Sequence, residues 1–162
     1  KYDFELWKKS LNGNLSSIFI VTKSVVNHML KRKRGSIINI ASDVGVISPD
    51  HRIYEANKKF NYKGTSFNTP IAYSVAKAGI ISMTRYLATH WAQKGIRVNC
   101  ISPAGVYKKH DKKFVEQLSQ RIPLGRMAQP HELNGAIVYL CSNASSFVTG
   151  HNLIVDGGRT IW

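Results

Sequence analysis

Apolar residues recur at intervals of three and four from Phe4 to Leu30, through Trp7, Leu11, Leu15, Ile18, Phe19, Val21, Val25, Val26 and Met29. That period predicts one long helix, and Gly35 punctuates its end. "SIINIAS" at 36–42 is short, β-branched and free of charge, as a strand covered on both faces of a parallel sheet should be. "IRVNCIS" at 96–102 and "NLIVDGG" at 152–158 read the same way. Helical patterns fill the intervals: Ile71 to Gln93, with Thr69 and Pro70 as N-cap and first-turn residue, then Asp111 to Ile122, then His131 to Cys141 behind Pro130. Alternation of strand and helix implies right-handed crossovers and a doubly wound, Rossmann-like α/β sheet. Three strands are few against the usual ~5 to 6. None of the twelve glycines forms a GxGxxG or GxxxxGK[ST] phosphate loop. Residues 1–162 therefore read as the C-terminal portion of one such domain, three strands with flanking helices, the N-terminal dinucleotide-binding half being absent from the chain.

Residues 43–70, "DVGVISPDHRIYEANKKFNYKGTSFNTP", follow no period. Loops beyond ~12 to 15 residues are usually functional or disordered. Tyr54, Phe60, Tyr62 and Phe67 favour an ordered flap. We expect residues 48–68 to cover the active-site edge and to meet an anionic, sugar-like substrate through Arg52, Lys58, Lys59 and Lys63.

A length of 162 residues with 43% hydrophobic content suits one domain with a sizeable core. The net charge of +14 raises nucleic acid as a partner. The basic residues fall in separate runs at 31–34, 57–63 and 108–113, each beside turn-like residues. Solvated loops and helix ends explain them better, and nucleic acid is not the expected partner. The six histidines include no HxxxH or HExxH spacing, and Cys100 and Cys141 form no CxxC pair, so no metal site is expected. There is no bilayer-length apolar run and no signal-peptide pattern, which predicts a soluble, reduced, cytoplasmic protein without a membrane partner. The opening Lys1, in the middle of an amphipathic pattern, reads as the start of a fragment or a trimmed product.

The stretch "IAYSVAKAGI" at 71–80 places Tyr73 and Lys77 four residues apart, on one face of a helix that otherwise reads as core. Chance alone supplies about 0.65 such pairs in a chain of this composition, and Tyr54 with Lys58 is a second instance. Context separates them. Ligands of open parallel sheets bind beyond the carboxyl ends of the strands, where Ser42 and the turn Pro103-Ala104-Gly105-Val106 fall. Serine, tyrosine and lysine in one crevice suit proton transfer at a hydroxyl or carbonyl. Tyrosine titrates near 10, so action near neutrality asks for a fall of about three units, and an ammonium ~4 Å away supplies roughly that at an effective dielectric of ~20. The residues by themselves leave open a second reading, a core tyrosine with a lysine reaching out to water.

Taken together and in order, "GSIINIAS", "AYSVAKAGI", "GIRVNCISPAGV", "RIPLGRMAQPHELNGAIVYLCSNASSFVTG" and "LIVDGG" resemble the short-chain dehydrogenase/reductase family nearly end to end. The resemblance implies an NAD(P)-dependent oxidoreductase interconverting a secondary alcohol and a ketone by hydride transfer, with NAD or NADP as cofactor. It implies that Tyr73 is the acid/base, that Lys77 lowers its pKa and holds the nicotinamide ribose, and that Ser42 positions the substrate oxygen. Asn14 would anchor a water of the proton relay, and Pro103, Ala104, Gly105 and Val106 would face the carboxamide. Ala104 replaces the family's usual glycine, and Lys108 stands where its threonine would be. The 31-position interval between Ser42 and Tyr73 resembles a bacterial subgroup of surface-polysaccharide and flagellin-glycan biosynthesis. Its paired helices imply a homodimer or homotetramer. The competing expectation is a truncated, non-catalytic remnant serving as a binding or oligomerisation module.

Overall fold

The computed structural model describes residues 2–54 and 68–162. The N-terminal helical run begins with α1 (Phe4–Leu11), which Asp3 caps by accepting from the Glu5 N–H at 3.0 Å. It passes through a π-helical turn (Asn12–Ser16) into α2 (Ser17–Arg32). The single helix expected from the periodicity is thus continuous but widened at its middle. Lys33, with φ of 50°, ends α2 in the left-handed conformation and turns the chain into β1 (Gly35–Ile40). After the long excursion come α3 (Ile71–Trp91), β2 (Ile96–Pro103), α4 (Lys112–Ser119), α5 (Asn134–Cys141) and β3 (Asn152–Val155).

The strands form a parallel sheet in the order β1-β2-β3. Ser36 lies beside Arg97 and Ile37 beside Val98, and neighbours along a strand face opposite ways. Ile37 and Val98 pack with Val26 of α2 and with Leu87 and Trp91 of α3. Ser36 and Arg97 face the other way, where the Ser36 hydroxyl and the Arg97 guanidinium both donate to the Leu140 carbonyl of α5. Helices therefore cover both faces, as the unbroken apolar strands imply. The two asparagines within those strands are buried and paired. Asn39 donates to Thr84 Oγ1, while Asn99 donates to the Val148 carbonyl and accepts from the His151 N–H; such pairing offsets the cost of burying an amide.

Several boundaries differ from expectation: α4 stops at Ser119 rather than Ile122, and a 3-10 turn (Pro130–Leu133) stands where α5 was expected to begin. Pro70, not Thr69, is the N-cap of α3, and it makes no side-chain cap bond; the Thr69 hydroxyl is instead 2.7 Å from Tyr54 Oη. The third strand stops at Val155 because Asp156 accepts from the N–H groups of Gly158 and Thr160 and folds the chain into a turn. The basic and aromatic residues expected to form a flap mostly lie outside the described residues; those inside form a short 3-10 turn, His51–Tyr54.

Candidate active site

The carboxyl ends of β1 and β2 bring the proposed chemistry together. Two residues beyond β1, Ser42 opens a 3-10 turn (Asp43–Gly45) lying against α3. A β-carbon on Gly45 would stand 2.8 Å from the Lys77 carbonyl carbon and 2.9 Å from the Ala78 nitrogen. Only glycine lets the turn approach the helix backbone so closely, at the level of Lys77. Beyond β2, the turn after Pro103 is tied down on both sides: the Ala104 N–H donates to the Val155 carbonyl, and the Gly105 carbonyl accepts from the Ala128 N–H. Gly105 passes so near Leu118 that an added β-carbon would sit 2.4 Å from its methyl.

Ser42, Tyr73, Ala104, Gly105 and Val106 line one cavity of about 250 Å³, together with Asp43, Tyr54, Phe114 and Arg159. Lys77 stands one turn along α3, its Nζ 5.4 Å from the centre of the Tyr73 ring and 2.8 Å from the Ile40 carbonyl, to which it donates. Pro103 closes β2 directly before the lining turn. Asn14 is not in the cavity. It sits inside the π-helical turn, and its amide donates to the Ser10 carbonyl at 2.9 Å. Turns of this kind recur at functional positions.

The electrostatics depart from the simple expectation of an ammonium lowering a phenol. Burial pushes the Tyr73 hydroxyl above its ordinary value; a Ser42 hydroxyl turned to donate to it would oppose this, and the negative charge of Asp43 adds to it. Burial likewise pushes Lys77 below its ordinary value. Both groups sit where water is scarce, so each charged form is disfavoured. At 5.4 Å from the ring, with its ammonium engaged by Ile40, Lys77 does not by itself reverse that trend.

Asp43, Phe114 and Arg159 line the cavity without having been marked in the sequence. Tyr54, expected in the flap, stacks on Phe114 of α4 at 5.7 Å and forms part of the wall. Arg121 donates to Asp50 at 2.5 Å, and Asp50 also accepts from the Arg52 side chain. Arg52, expected to greet substrate, is therefore engaged with Asp50 in a clasp between the start of the excursion and the end of α4. Arg159 reaches back from beyond β3 to form an ion pair with Asp43, both side chains being buried. Nothing local in the sequence announces these pairs, whose members lie 71 and 116 positions apart.

Comparison with known proteins adds the family. The model described as enoyl-(acyl carrier protein) reductase matches residues 61–160, more than half of the chain. The chain belongs to the short-chain dehydrogenase/reductase family. It is 37% identical over 164 residues to the 2-dehydro-3-deoxy-D-gluconate 5-dehydrogenase of Bacillus subtilis, covering 95% of this chain and 56% of that protein. A short chain dehydrogenase of Leptospira borgpetersenii, solved with bound NAD+, superposes with a TM-score of 0.88 at 36% identity over 99% of this chain and 59% of that one. A gluconate 5-dehydrogenase of Burkholderia cenocepacia, solved with NADP and tartrate, gives 0.81 at 30% identity over 98% of this chain and 58% of that one. The chain thus spans a little under three fifths of the relatives it matches.

Proposed function

We propose that these residues form the catalytic portion of an NAD(P)-dependent oxidoreductase that interconverts a secondary alcohol and a ketone, with the dinucleotide-binding half supplied by residues outside the 162. One observation carries the reading: Ser42, Tyr73 and the small-residue turn after Pro103 line a single cavity, with Lys77 a helical turn behind. In reduction the Tyr73 hydroxyl gives its proton to the carbonyl oxygen; in oxidation the phenolate takes it from the alcohol. Ser42 holds that oxygen in reach. An ammonium has three N–H groups; among the described residues Ile40 takes one, and the others suit the adjacent hydroxyls of a ribose.

The donor set fits a nicotinamide nucleotide. Ala104, Gly105 and Val106 offer a wall of small side chains and backbone against which a flat ring can lie, and Lys77 meets the sugar. When bound, the nicotinamide would supply or accept the hydride, and its oxidised ring would bring a positive charge near the half-buried Tyr73. Asn14, on the turn packed against α3, is proposed to support the relay behind Lys77. A small polyol or sugar acid suits a cavity of about 250 Å³, a substrate class in keeping with the gluconate-type dehydrogenases among its relatives. Exposed apolar residues on the helical face, Phe19 at 53% and Tyr86 at 69%, support assembly into a homodimer or homotetramer.

The test is Tyr73→Phe in the complete protein. The ring still packs and only the proton-carrying oxygen is lost, so turnover should fall by about 10²- to 10⁴-fold while cofactor affinity and melting temperature hold. Turnover within tenfold of wild type in both directions would sink the assignment. Failure of the complete protein to bind either NAD or NADP would favour a non-catalytic binding module instead.

A further inference from the structure

Ser42 is followed directly by a buried carboxylate. Asp43 is 3% exposed, and its two oxygens are divided: Oδ1 accepts from the Ser42 hydroxyl and from the Val44 N–H, each at 2.8 Å, while Oδ2 accepts from Arg159. Arg159 is itself 7% exposed and is held by the turn that Asp156 folds beyond β3. A hydroxyl has a single proton to donate. In this arrangement the Ser42 proton points at Asp43, leaving only lone pairs for Tyr73 and for a substrate oxygen.

We propose that Asp43, clamped by Arg159, is a positioning residue that sets the direction of the Ser42 hydroxyl and so decides whether Ser42 donates or accepts beside Tyr73. This rests on the site reading given above. Arg159 draws on the same carboxylate from the other side, so the strength of the ion pair governs how readily Ser42 can turn its proton toward substrate. Among the described residues, the charged and titratable groups around Tyr73 are Asp43 from the turn after β1, Tyr54 from the 3-10 turn, Arg159 from the C-terminal turn and Lys77 from its own helix. Of these, Asp43 brings negative charge, which disfavours the phenolate.

The experiment is a double-mutant cycle in the complete protein between Ser42→Ala and the charge-removing pair Asp43→Asn with Arg159→Met. Asp43→Asn alone leaves a buried guanidinium without its counter-ion and risks misfolding, whereas removing both charges together keeps the interior neutral. Expected is a cycle in kcat/KM that is non-additive by about fivefold or more, as for residues in direct contact, because Asp43 has nothing to orient once Ser42 is alanine. In Asp43→Asn, which keeps the Arg159 cation, the tyrosine limb of the pH profile for alcohol oxidation should move to lower pH. Additive effects with an unmoved pH limb would overturn the inference while leaving the site reading intact. Full turnover by Ser42→Ala would overturn both.

Discussion

Gly45→Ala tests the placement of the turn that carries Ser42 without touching any group proposed to react. The new methyl would lie 2.8 Å from the Lys77 carbonyl carbon, 2.9 Å from the Ala78 nitrogen and 3.0 Å from the Lys77 oxygen. Carbon atoms prefer separations of about 3.5 to 4.0 Å, so the turn must retreat from α3 by roughly 0.7 Å. The obstacle is helix backbone, with Ala76 and Ile80 fully buried behind it, and cannot swing aside like a side-chain end. Overpacking of this sort costs about 1 to 3 kcal/mol. Ser42 is three residues upstream on the same turn and moves with it. Misplacement by about 1 Å can cost on the order of 10²-fold in rate, so kcat/KM should drop by roughly 10- to 100-fold, with the melting temperature down by about 2 to 8 °C. Steady-state kinetics beside thermal denaturation of the complete protein measure both. Wild-type turnover at wild-type stability would refute the claim that this glycine sets the distance between the turn and α3.

Three further outcomes are expected. Asp50→Asn should destabilise the protein by about 1 kcal/mol, a value discounted for partial exposure, and chemical denaturation read across pH checks it. Arg52 and Arg121 hold the Asp50 carboxyl far below its usual range; its contribution should therefore be complete above pH ~4 and fade as pH falls further, so the difference between wild type and variant narrows in acid. Substituting Tyr86 with Glu should break the assembly proposed for the exposed helical face, and sedimentation of an unchanged oligomer would argue against that face. Gly105→Ala should push Leu118 and α4 outward, raising KM for substrate more than it lowers kcat; a change in kcat alone would place the turn's role elsewhere.

The strands and their order of use were legible because buried β-branched runs such as "SIINIAS" and "IRVNCIS" have no other stable home. The Tyr73 and Lys77 pair was legible from helical spacing, whereas the role proposed for it came from the family resemblance, since the residues alone left open a core tyrosine with a lysine reaching out to water. What the sequence concealed is long-range. The Thr69 hydroxyl reads as a cap from its neighbours, yet a tyrosine 15 positions earlier claims it. Asp43 and Arg159 carry no local signal of the buried pair they form once the C-terminal turn brings them together. The widening of the first helix at Asn12–Ser16 leaves the apolar period nearly intact, so periodicity passes over it.

The bond between Tyr54 and Thr69 bears on how such enzymes diversify. It joins positions 54 and 69 of the excursion, and Tyr54 is also anchored on Phe114. A loop whose base is already closed can lengthen cheaply, since each doubling adds only about 0.6 kcal/mol of closure entropy. Insertions or deletions between these two positions can therefore be sampled over generations without moving Ser42 or Tyr73. The base works as a socket, in which the substrate preference proposed for this segment could be exchanged while Ser42 and Tyr73 stay in place.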